Sequence, residues 1–315
     1  MFDVINWHAH VYPPEELVDP RFWMLSIESL LECNSQAGVS KVVVSNPMHY
    51  LRDRTLAQCL DAVKRWSDYA AELKNKYGDP IEVFASSIPA LGESAVKELE
   101  RGVRELKLKG CFINSSHDGL YPDEESAWGF WEAATALDIP VMLHSPHCAF
   151  GEERMDMYRL ISSIARPMDE TLSIARLIVR GLWERFPTVK LVGCHAGGGI
   201  CEVIGRMDYA YELGEYCDFL GPYAPVLIRQ KPSAYLRQLW IDTANYWPPA
   251  LWSDIQSVGV EHTLFGADAP PLNPLLPKAI ALVNDLPLSE AERAAIFHGN
   301  AERLLGLGSP AEVVA

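Results

Sequence analysis

The segment DVINWHAH, residues 3–10, is an apolar run that ends in two histidines separated by one residue. In a β-strand the side chains of residues i and i+2 point to the same side, so His8 and His10 would project together. Two neutral imidazoles side by side suit a divalent metal ion. The pair could instead be two solvated histidines at the end of a strand, and residues further along the chain decide between these interpretations.

Seven more segments of this kind follow, and amphipathic helices are predicted between them. Strands that are almost entirely apolar and alternate with helices indicate a parallel sheet covered by helices. Eight such units predict an α/β fold of the (β/α)8 TIM-barrel type, with a doubly wound open sheet as the alternative. The seven segments are KVVVSNP (41–47), EVFASSIP (82–89), KGCFINSS (109–116), PVMLHSP (140–146), VKLVGCHAGG (189–198), LWIDTANY (239–246) and HTLFGADAP (262–270).

The rest of the chain fits a barrel of one domain over residues 1–315. Residues 93–107, 125–138 and 169–186 have apolar side chains at helical spacing, and residues 289–308 are predicted to form closing C-terminal helices. The long mixed segments 147–168 and 217–235 would be insertions in the loops beside the active face.

Composition excludes several classes of function. The formal net charge of −15 would repel nucleic acid, and an anionic small substrate would need local arginines or a metal ion to hold it. No run of apolar residues is long enough to span a membrane, and no signal peptide is evident. The seven cysteines are scattered without a C-x-x-C motif, so we expect reduced thiols and a cytoplasmic protein.

Further polar residues stand at the C-terminal ends of predicted strands. His144 ends the fifth strand, His195 the sixth and Asp268 the eighth. This is the end at which barrel enzymes place their catalytic groups. A single histidine at a strand end is most often a hydrogen-bonded structural residue, but the joint pattern favours a site for zinc or a similar divalent ion.

The motifs HAHVYPPE, LHSP, KLVGCHAGGG and FGADAP, in this order, resemble the amidohydrolase superfamily. More narrowly, they resemble its decarboxylase-like branch, which includes the aminocarboxymuconate-semialdehyde, resorcylate and dihydroxybenzoate decarboxylases. The resemblance implies that His195 orients or activates a metal-bound water. It also implies one metal ion, because CFINSS at the end of the fourth strand has no lysine. The residues that match the metal ligands of the family are His8, His10, His144 and Asp268.

Three more residues are candidates for substrate binding. By the same resemblance, Arg206 in VIGRMD and Arg21 in DPRFW match arginines that clamp a substrate carboxylate. The arginine at the position of Arg206 reaches into the neighbouring subunit in the resembling enzyme, which implies a homodimer. Arg206 could alternatively be an ordinary surface cation on a helix. His147, three residues past His144, is a third candidate for contact with the substrate.

These observations predict a metal-dependent, non-oxidative decarboxylase of an aromatic or unsaturated, muconate-type carboxylic acid. His195 and Asp268 would handle the proton that replaces carbon dioxide, with their division of labour left open. Zn²⁺ is the expected ion, Mn²⁺ is the alternative, and no organic cofactor is expected. The alternatives are a metal-dependent hydrolase, lactonase or hydratase of a ring-cleavage product, and a non-catalytic barrel with a structural metal ion.

Overall fold

The computed structural model describes residues 3–16, 26–48, 51–145, 147–213, 216, 223–270 and 273–307. Within them, short strands alternate with helices along the chain, and every paired strand is parallel to its neighbour. The strands are β1 (Ile5–His10), β2 (Lys41–Ser45), β3 (Ile81–Val83), β4 (Ala85–Ser87), β5 (Cys111–Asn114), β6 (Pro140–His144), β7 (Lys190–Gly193), β8 (Trp240–Asp242) and β9 (Thr263–Leu264).

The strand predicted at residues 82–89 is divided into β3 and β4, and this division links two groups of strands. Strand β3 pairs with β2, whereas β4 pairs with β5. Between them, the Phe84 N–H donates to the Val44 carbonyl at 2.9 Å, and the Ala85 N–H donates to the Gly110 carbonyl at 2.9 Å. The backbone therefore changes its hydrogen-bonding partner from β2 to the strand position of β5 at this point. Strands β3 and β4 together act as one interrupted strand.

Backbone hydrogen bonds also join the first strand to the last. The Trp7 N–H donates to the Phe265 carbonyl, and the His10 N–H donates to the Ala269 carbonyl, each at 2.8 Å. The Ala269 N–H in turn donates to the His8 carbonyl at 3.1 Å. The eight strand positions thus form a closed ring, so the predicted (β/α)8 barrel is confirmed and the open sheet is excluded.

One helix follows each strand position on the outside of this ring, and additional short helices lie in the loop after β6 and at the C-terminal end. The helix predicted at residues 169–186 is interrupted at Gly181, whose φ of +76° suits glycine. The helices are α1 (Ile27–Gln36), α2 (Leu56–Tyr77), α3 (Glu93–Arg104), α4 (Trp128–Ala136), α5 (Glu152–Met155), α6 (Arg166–Val179), α7 (Leu182–Arg185), α8 (Ile200–Leu213), α9 (Pro248–Val258), α10 (Leu276–Asn284), α11 (Glu290–Ala294) and α12 (Asn300–Leu305), with π-helical turns at Ile161–Ala165 and Ala295–Gly299.

Alternating side chains of the strands divide between two apolar clusters. One cluster packs the outer faces of the strands against the surrounding helices. The other takes side chains from all the strand positions and fills the interior of the barrel, as layered side chains do in this fold. Its members from the strands, and from the residue between β3 and β4, are Ile5, Trp7, Val43, Phe84, Phe112, Met142, Val192, Trp240 and Leu264.

A β-bulge in β1 changes which side chains face the interior. The pairing of β1 with β2 shifts register between Asn6 and Ala9. Trp7 belongs to the inner cluster and Ala9 to the outer one, so the usual alternation is broken once between them. As a result His8 and His10 both point inward, which is the common effect of a bulge on the side chains beyond it.

Among the described helices, none is both long enough and apolar enough to cross a membrane.

The close packing of Phe84 against β5 gives a stability test. A Cβ atom added at Gly110 would lie 2.5 Å from Cζ of Phe84, so Gly110→Ala must displace this buried ring. We expect the variant to lose about 1–3 kcal/mol of unfolding free energy in urea denaturation. Gly129→Ala is the control, because its nearest neighbour, Cγ2 of Val96, would be at an ordinary 3.5 Å. Equal stability of the two variants would contradict the predicted clash.

Candidate active site

Four of the sequence-predicted residues meet at the C-terminal end of the barrel, from strands far apart in the chain. Ligand atoms of His8, His10, His144 and Asp268 all lie within 4.8 Å of one another. Nε2 of His8 is 3.1 Å from Nε2 of His10, and Oδ1 of Asp268 is 3.4 and 3.5 Å from these two atoms. We call these four residues the histidine–aspartate cluster.

Neighbouring acceptors fix the tautomers of the two histidines from β1. Nδ1–H of His8 donates to Oδ2 of Asp242 at 2.6 Å. The Ser45 hydroxyl donates to the Ala9 carbonyl, so its oxygen accepts the Nδ1–H of His10 at 3.0 Å. Each ring therefore carries its proton on Nδ1 and directs the Nε2 lone pair into the cluster, the arrangement of metal-binding histidines.

The donor set fits a divalent metal ion. Two Nε2 lone pairs at 3.1 Å repel each other unless a cation lies near both. Burial lowers the pKa of His10 to about 4 and also holds the pKa of His144 well below its usual value, so both rings are in the neutral form that binds metals. Nδ1 of His144 is buried without a hydrogen-bond partner in the described part of the chain. Three imidazoles and one carboxylate can thus hold one divalent ion.

His195 lies between two carboxylates. Nδ1 of this ring is 3.0 Å from both oxygens of the buried Glu170, and Nε2 is 3.5 Å from Oδ2 of Asp268. Burial by itself would lower the pKa of His195, but the two carboxylates outweigh it and raise the pKa well above its usual value. Burial would raise the pKa of Asp268, but the neighbouring imidazoles, foremost those of His10 and His195, hold it well below its usual range. His195 is therefore positioned as a protonated group beside a carboxylate.

The backbone at these two residues is held in an uncommon conformation. His195 and Asp268 have φ values of 49° and 44°, and Ala196 has 57°, all in the left-handed region. Non-glycine residues persist there only where surrounding contacts enforce the conformation, and they cluster at functional sites. One such contact is the Ala196 N–H, which donates to Oδ1 of Asp242 at 3.1 Å.

A cavity of about 280 Å³ opens at the same end of the barrel. Its walls come from the loops that follow β2, β5 and β6, and β6 carries His144. The residues that line it are Met48, Arg52, Asp53, Asn114, Ser116, His117, Asp118, Gly119, His147, Cys148 and Ala149.

Asp169 on α6 ties two of these loops together. Its carboxylate is fully buried and accepts hydrogen bonds from the hydroxyls of Ser115, Ser116 and Tyr121 and from the Ala149 N–H. These donors belong to the loops after β5 and β6. Since a carboxylate with several donors is well compensated for its burial, Asp169 acts as a fixed anchor for one side of the cavity.

Two of the three predicted substrate-binding residues, His147 and Arg206, are described and are not members of the histidine–aspartate cluster. His147 lines the cavity, and its Nδ1 is 3.9 Å from Oε2 of Glu152. Arg206 is exposed on α8 and makes no hydrogen bond or ion pair with the residues that the structure describes. Arg21 lies outside the described residues.

Sequence reasoning missed the partners that orient these histidines. Asp242 had a visible signal, because it is the one carboxylate in the predicted strand LWIDTANY. Glu170 had none, since an acidic residue near the start of a helix is ordinary. Ser45 and Asn114 end β2 and β5, but short polar residues at strand ends are common and carry no specific signal.

A family model described as amidohydrolase matches residues 5–307. This chain belongs to the amidohydrolase family. The expected superfamily is therefore confirmed. Two decarboxylases that are similar to this amidohydrolase confirm the predicted decarboxylase-like branch. The 2-amino-3-carboxymuconate-6-semialdehyde decarboxylase of Dictyostelium discoideum is 27% identical over 79% of this chain and 67% of its own length. The gamma-resorcylate decarboxylase of Polaromonas sp. strain JS666 is 28% identical over 95% of this chain and 93% of its own.

Two further comparisons bear on the fold and the chemistry. A 2-keto-4-carboxy-3-hexenedioate hydratase of Sphingobium is 25% identical over 67% of this amidohydrolase and 60% of its own length. A solved dihydroxybenzoic acid decarboxylase from Polaromonas sp. JS666, with bound manganese and the inhibitor 2-nitroresorcinol, superposes with a TM-score of 0.83. It is 23% identical and covers 98% of each chain, and the match confirms the barrel fold.

The cluster predicts that the purified amidohydrolase carries about one divalent ion per chain. Replacing two of the three imidazoles, in His8→Ala combined with His10→Ala, should remove most of the ion, which elemental analysis after gel filtration measures. The control is His298→Ala, because His298 is 3.5 Å from Glu302 on the C-terminal helices and is no member of the cluster. Equal metal content in the double variant and the control would contradict the assignment.

Proposed function

We propose that this amidohydrolase is a metal-dependent, non-oxidative decarboxylase of an aromatic or unsaturated carboxylic acid. The observation that carries the proposal is the position of His195, whose Nε2 is 3.5 Å from Asp268 and whose pKa is raised well above its usual value. It lies beside His10 and His144, whose pKa values are lowered. This arrangement offers both a site for a divalent ion and a proton at the point where a carboxyl group would be replaced. The decarboxylases among its relatives support the same reaction.

The reaction needs one bond broken and one proton delivered. The bond between the carboxyl carbon and its neighbouring carbon breaks, carbon dioxide leaves, and the electron pair stays on the neighbouring carbon. His195 then gives a proton to that carbon, because its raised pKa keeps it protonated whereas Asp268 is a carboxylate, and a solvent proton restores the donor. A divalent ion held by His8, His10, His144 and Asp268 would supply Lewis-acid stabilisation of the negative charge. Glu170 keeps the His195 ring oriented, because both of its oxygens lie 3.0 Å from Nδ1.

Zn²⁺ is the ion that we propose for His8, His10, His144 and Asp268. Three imidazoles and a single carboxylate match the borderline preference of zinc, whereas manganese favours sites richer in oxygen. The manganese in the solved relative makes Mn²⁺ the alternative.

A hydratase is the second candidate function, and the Sphingobium relative favours it. In that reaction water would add to one carbon of a double bond, His195 would protonate the other, and the proton lost by the water would restore His195. An ion held by the cluster would supply Lewis-acid stabilisation. Release of carbon dioxide separates the two reactions, because hydration releases none.

We expect the metal-loaded protein to release carbon dioxide from at least one acid in a panel of hydroxybenzoates and muconate-type acids. His195→Ala should lower the rate by roughly two to four orders of magnitude while keeping the ion, since it removes a proton donor and no proposed ligand. Carbon dioxide release, product spectra and elemental analysis measure these effects, with His298→Ala as the control. A panel without any carbon dioxide release, or His195→Ala at full rate, would refute the proposal.

We further propose a homodimer in which Arg206 completes the partner's site. An apolar stripe that runs from Leu160 through the π-helical turn into α6 supports this arrangement, because Leu160, Ile164, Met168 and Leu172 recur every four residues and are 37–46% exposed. Helix α8, which packs beside α6, presents Arg206 to solvent. Burying the stripe against a second copy would offset the repulsion between two acidic chains and bring the guanidinium to an anionic substrate. Arg21 and His147 are proposed as further contacts to the substrate.

Complementation between inactive subunits tests the shared site. Arg206→Ala and His195→Ala subunits should each be nearly inactive, but their mixed dimer has one site with an intact His195 and the partner's intact arginine. We therefore expect activity to return when the two variants are refolded or exchanged together, up to about half of the wild-type sites. Mixed dimers that form, as shown by a tag on one variant, but stay inactive would place Arg206 in its own site.

A further inference from the structure

The cavity of about 280 Å³ adjoins the histidine–aspartate cluster through β5. Phe112 on β5 points into the barrel, where its ring lies 5.6 Å from the ring of His144 and 6.0 Å from that of His10. Asn114 is two residues further along the same strand and is paired with His144 in the register of β5 and β6. Because residues i and i+2 of a strand share a face, Asn114 follows Phe112 on the inner face, one step closer to the cavity that it lines.

Asn114 has an unused hydrogen-bonding group at this position. The residue is only 6% exposed, and its Oδ1 is buried without a hydrogen-bond partner among the described residues. An unsatisfied buried amide oxygen costs about 1–3 kcal/mol, so native structures rarely leave one without a partner. The amide oxygen of Asn114 is therefore available to a ligand.

The charges around the cavity indicate which substituent this ligand carries. Arg52, the one arginine or lysine of the described lining, is already bonded to Oε1 of Glu152 at 2.7 Å. Asp53 and Asp118 line the same cavity and would repel a second carboxylate. A hydroxyl group is neutral and both donates and accepts, so it pairs with an amide in either orientation of the amide.

The size of the cavity limits the rest of the ligand. A cavity of about 150 Å³ is enough to enclose benzene, so 280 Å³ holds one substituted ring. We propose that this cavity receives the far side of a single-ring hydroxy acid and that Asn114 is a specificity-determining residue, which hydrogen-bonds a ring hydroxyl remote from the carboxyl group that is lost. This inference rests on the proposed function for the carboxyl end of the ligand and concerns the substituent that the far side of the ring carries, a hydroxyl group rather than a second carboxylate.

Binding of unreactive nitro analogues tests the subsite without relying on turnover. 2-Nitrophenol is compared with nitrohydroquinone and 4-nitroresorcinol, which add one remote hydroxyl, and with 3-hydroxy-4-nitrobenzoate, which adds a carboxylate. We expect at least one dihydroxy probe to bind the wild-type metal-loaded protein about fivefold more tightly than 2-nitrophenol in calorimetry, the value of one net hydrogen bond. Asn114→Ala should abolish this preference and leave the affinity for 2-nitrophenol unchanged.

The control variant is Ser87→Ala. Ser87 ends β4, next to β5, and its hydroxyl is also buried without a partner among the described residues, but it does not line the large cavity. This variant should keep the wild-type preference. Since each preference is a ratio measured on one preparation, partial misfolding of a variant does not alter it, and Asn114→Ser should retain part of it through its hydroxyl.

Three results would overturn the inference: no preference for either dihydroxy probe, a preference that survives in Asn114→Ala, or tightest binding of the carboxylate probe. These outcomes are independent of carbon dioxide release. A protein that releases no carbon dioxide but shows the Asn114-dependent preference would refute the decarboxylase and keep the hydroxyl subsite. The reverse pair of results would refute the subsite alone.

Discussion

The approach of two imidazole lone pairs inside a protein is the constraint on which this site depends. Nε2 of His8 and Nε2 of His10 lie 3.1 Å apart, and both Nδ1 protons are already used by acceptors behind the rings. The acceptor behind His8 is the carboxylate of Asp242, and both side chains are fully buried. Removing one partner of such a pair typically costs 3–5 kcal/mol, since it leaves a charge or a donor uncompensated in the interior. The rings are thus held facing each other by Asp242 and Ser45, which lie outside the histidine–aspartate cluster.

Several features of the barrel deliver these groups to one place. Because of the bulge in β1, the side chains of His8 and His10 point into the barrel although the side chain of Trp7 also does. Gly266 permits the approach of Asp242 to His8, because a Cβ atom there would lie 2.8 Å from the Cβ of Asp242 and 2.9 Å from that of His8. A larger residue would push apart the ring and the carboxylate that fixes its tautomer. The closed ring of strands then sets the distances across the site.

The sequence was informative where a strand ends in a chemically distinctive side chain. The alternation of apolar runs and helices predicts the barrel, and His144, His195 and Asp268 stand out because they end such runs. Glu170 and Ser45 could not be recognised, because an acidic residue on a helix and a serine at a strand end have ordinary roles in most proteins. The inward turn of His8 depends on a bulge where β1 pairs with β2. This pairing is not encoded in the sequence of β1 alone. The direction of such a side chain is set by long-range strand pairing rather than by local propensity, so the local sequence does not predict it.

Asp169 and Glu170 are consecutive residues of α6 and contact two different parts of the site, the loops around the cavity and the ring of His195. Asp169 holds the loops that bound the cavity, and Glu170 holds the ring of His195. Because the first turns of one helix carry both side chains, a ligand that forces the loops outward also shifts the imidazole. A poorly fitting molecule is then penalised twice, in its affinity and in the alignment of the proton with the carbon that accepts it. Discrimination between substrates is in this way exerted on the chemical step as well as on binding.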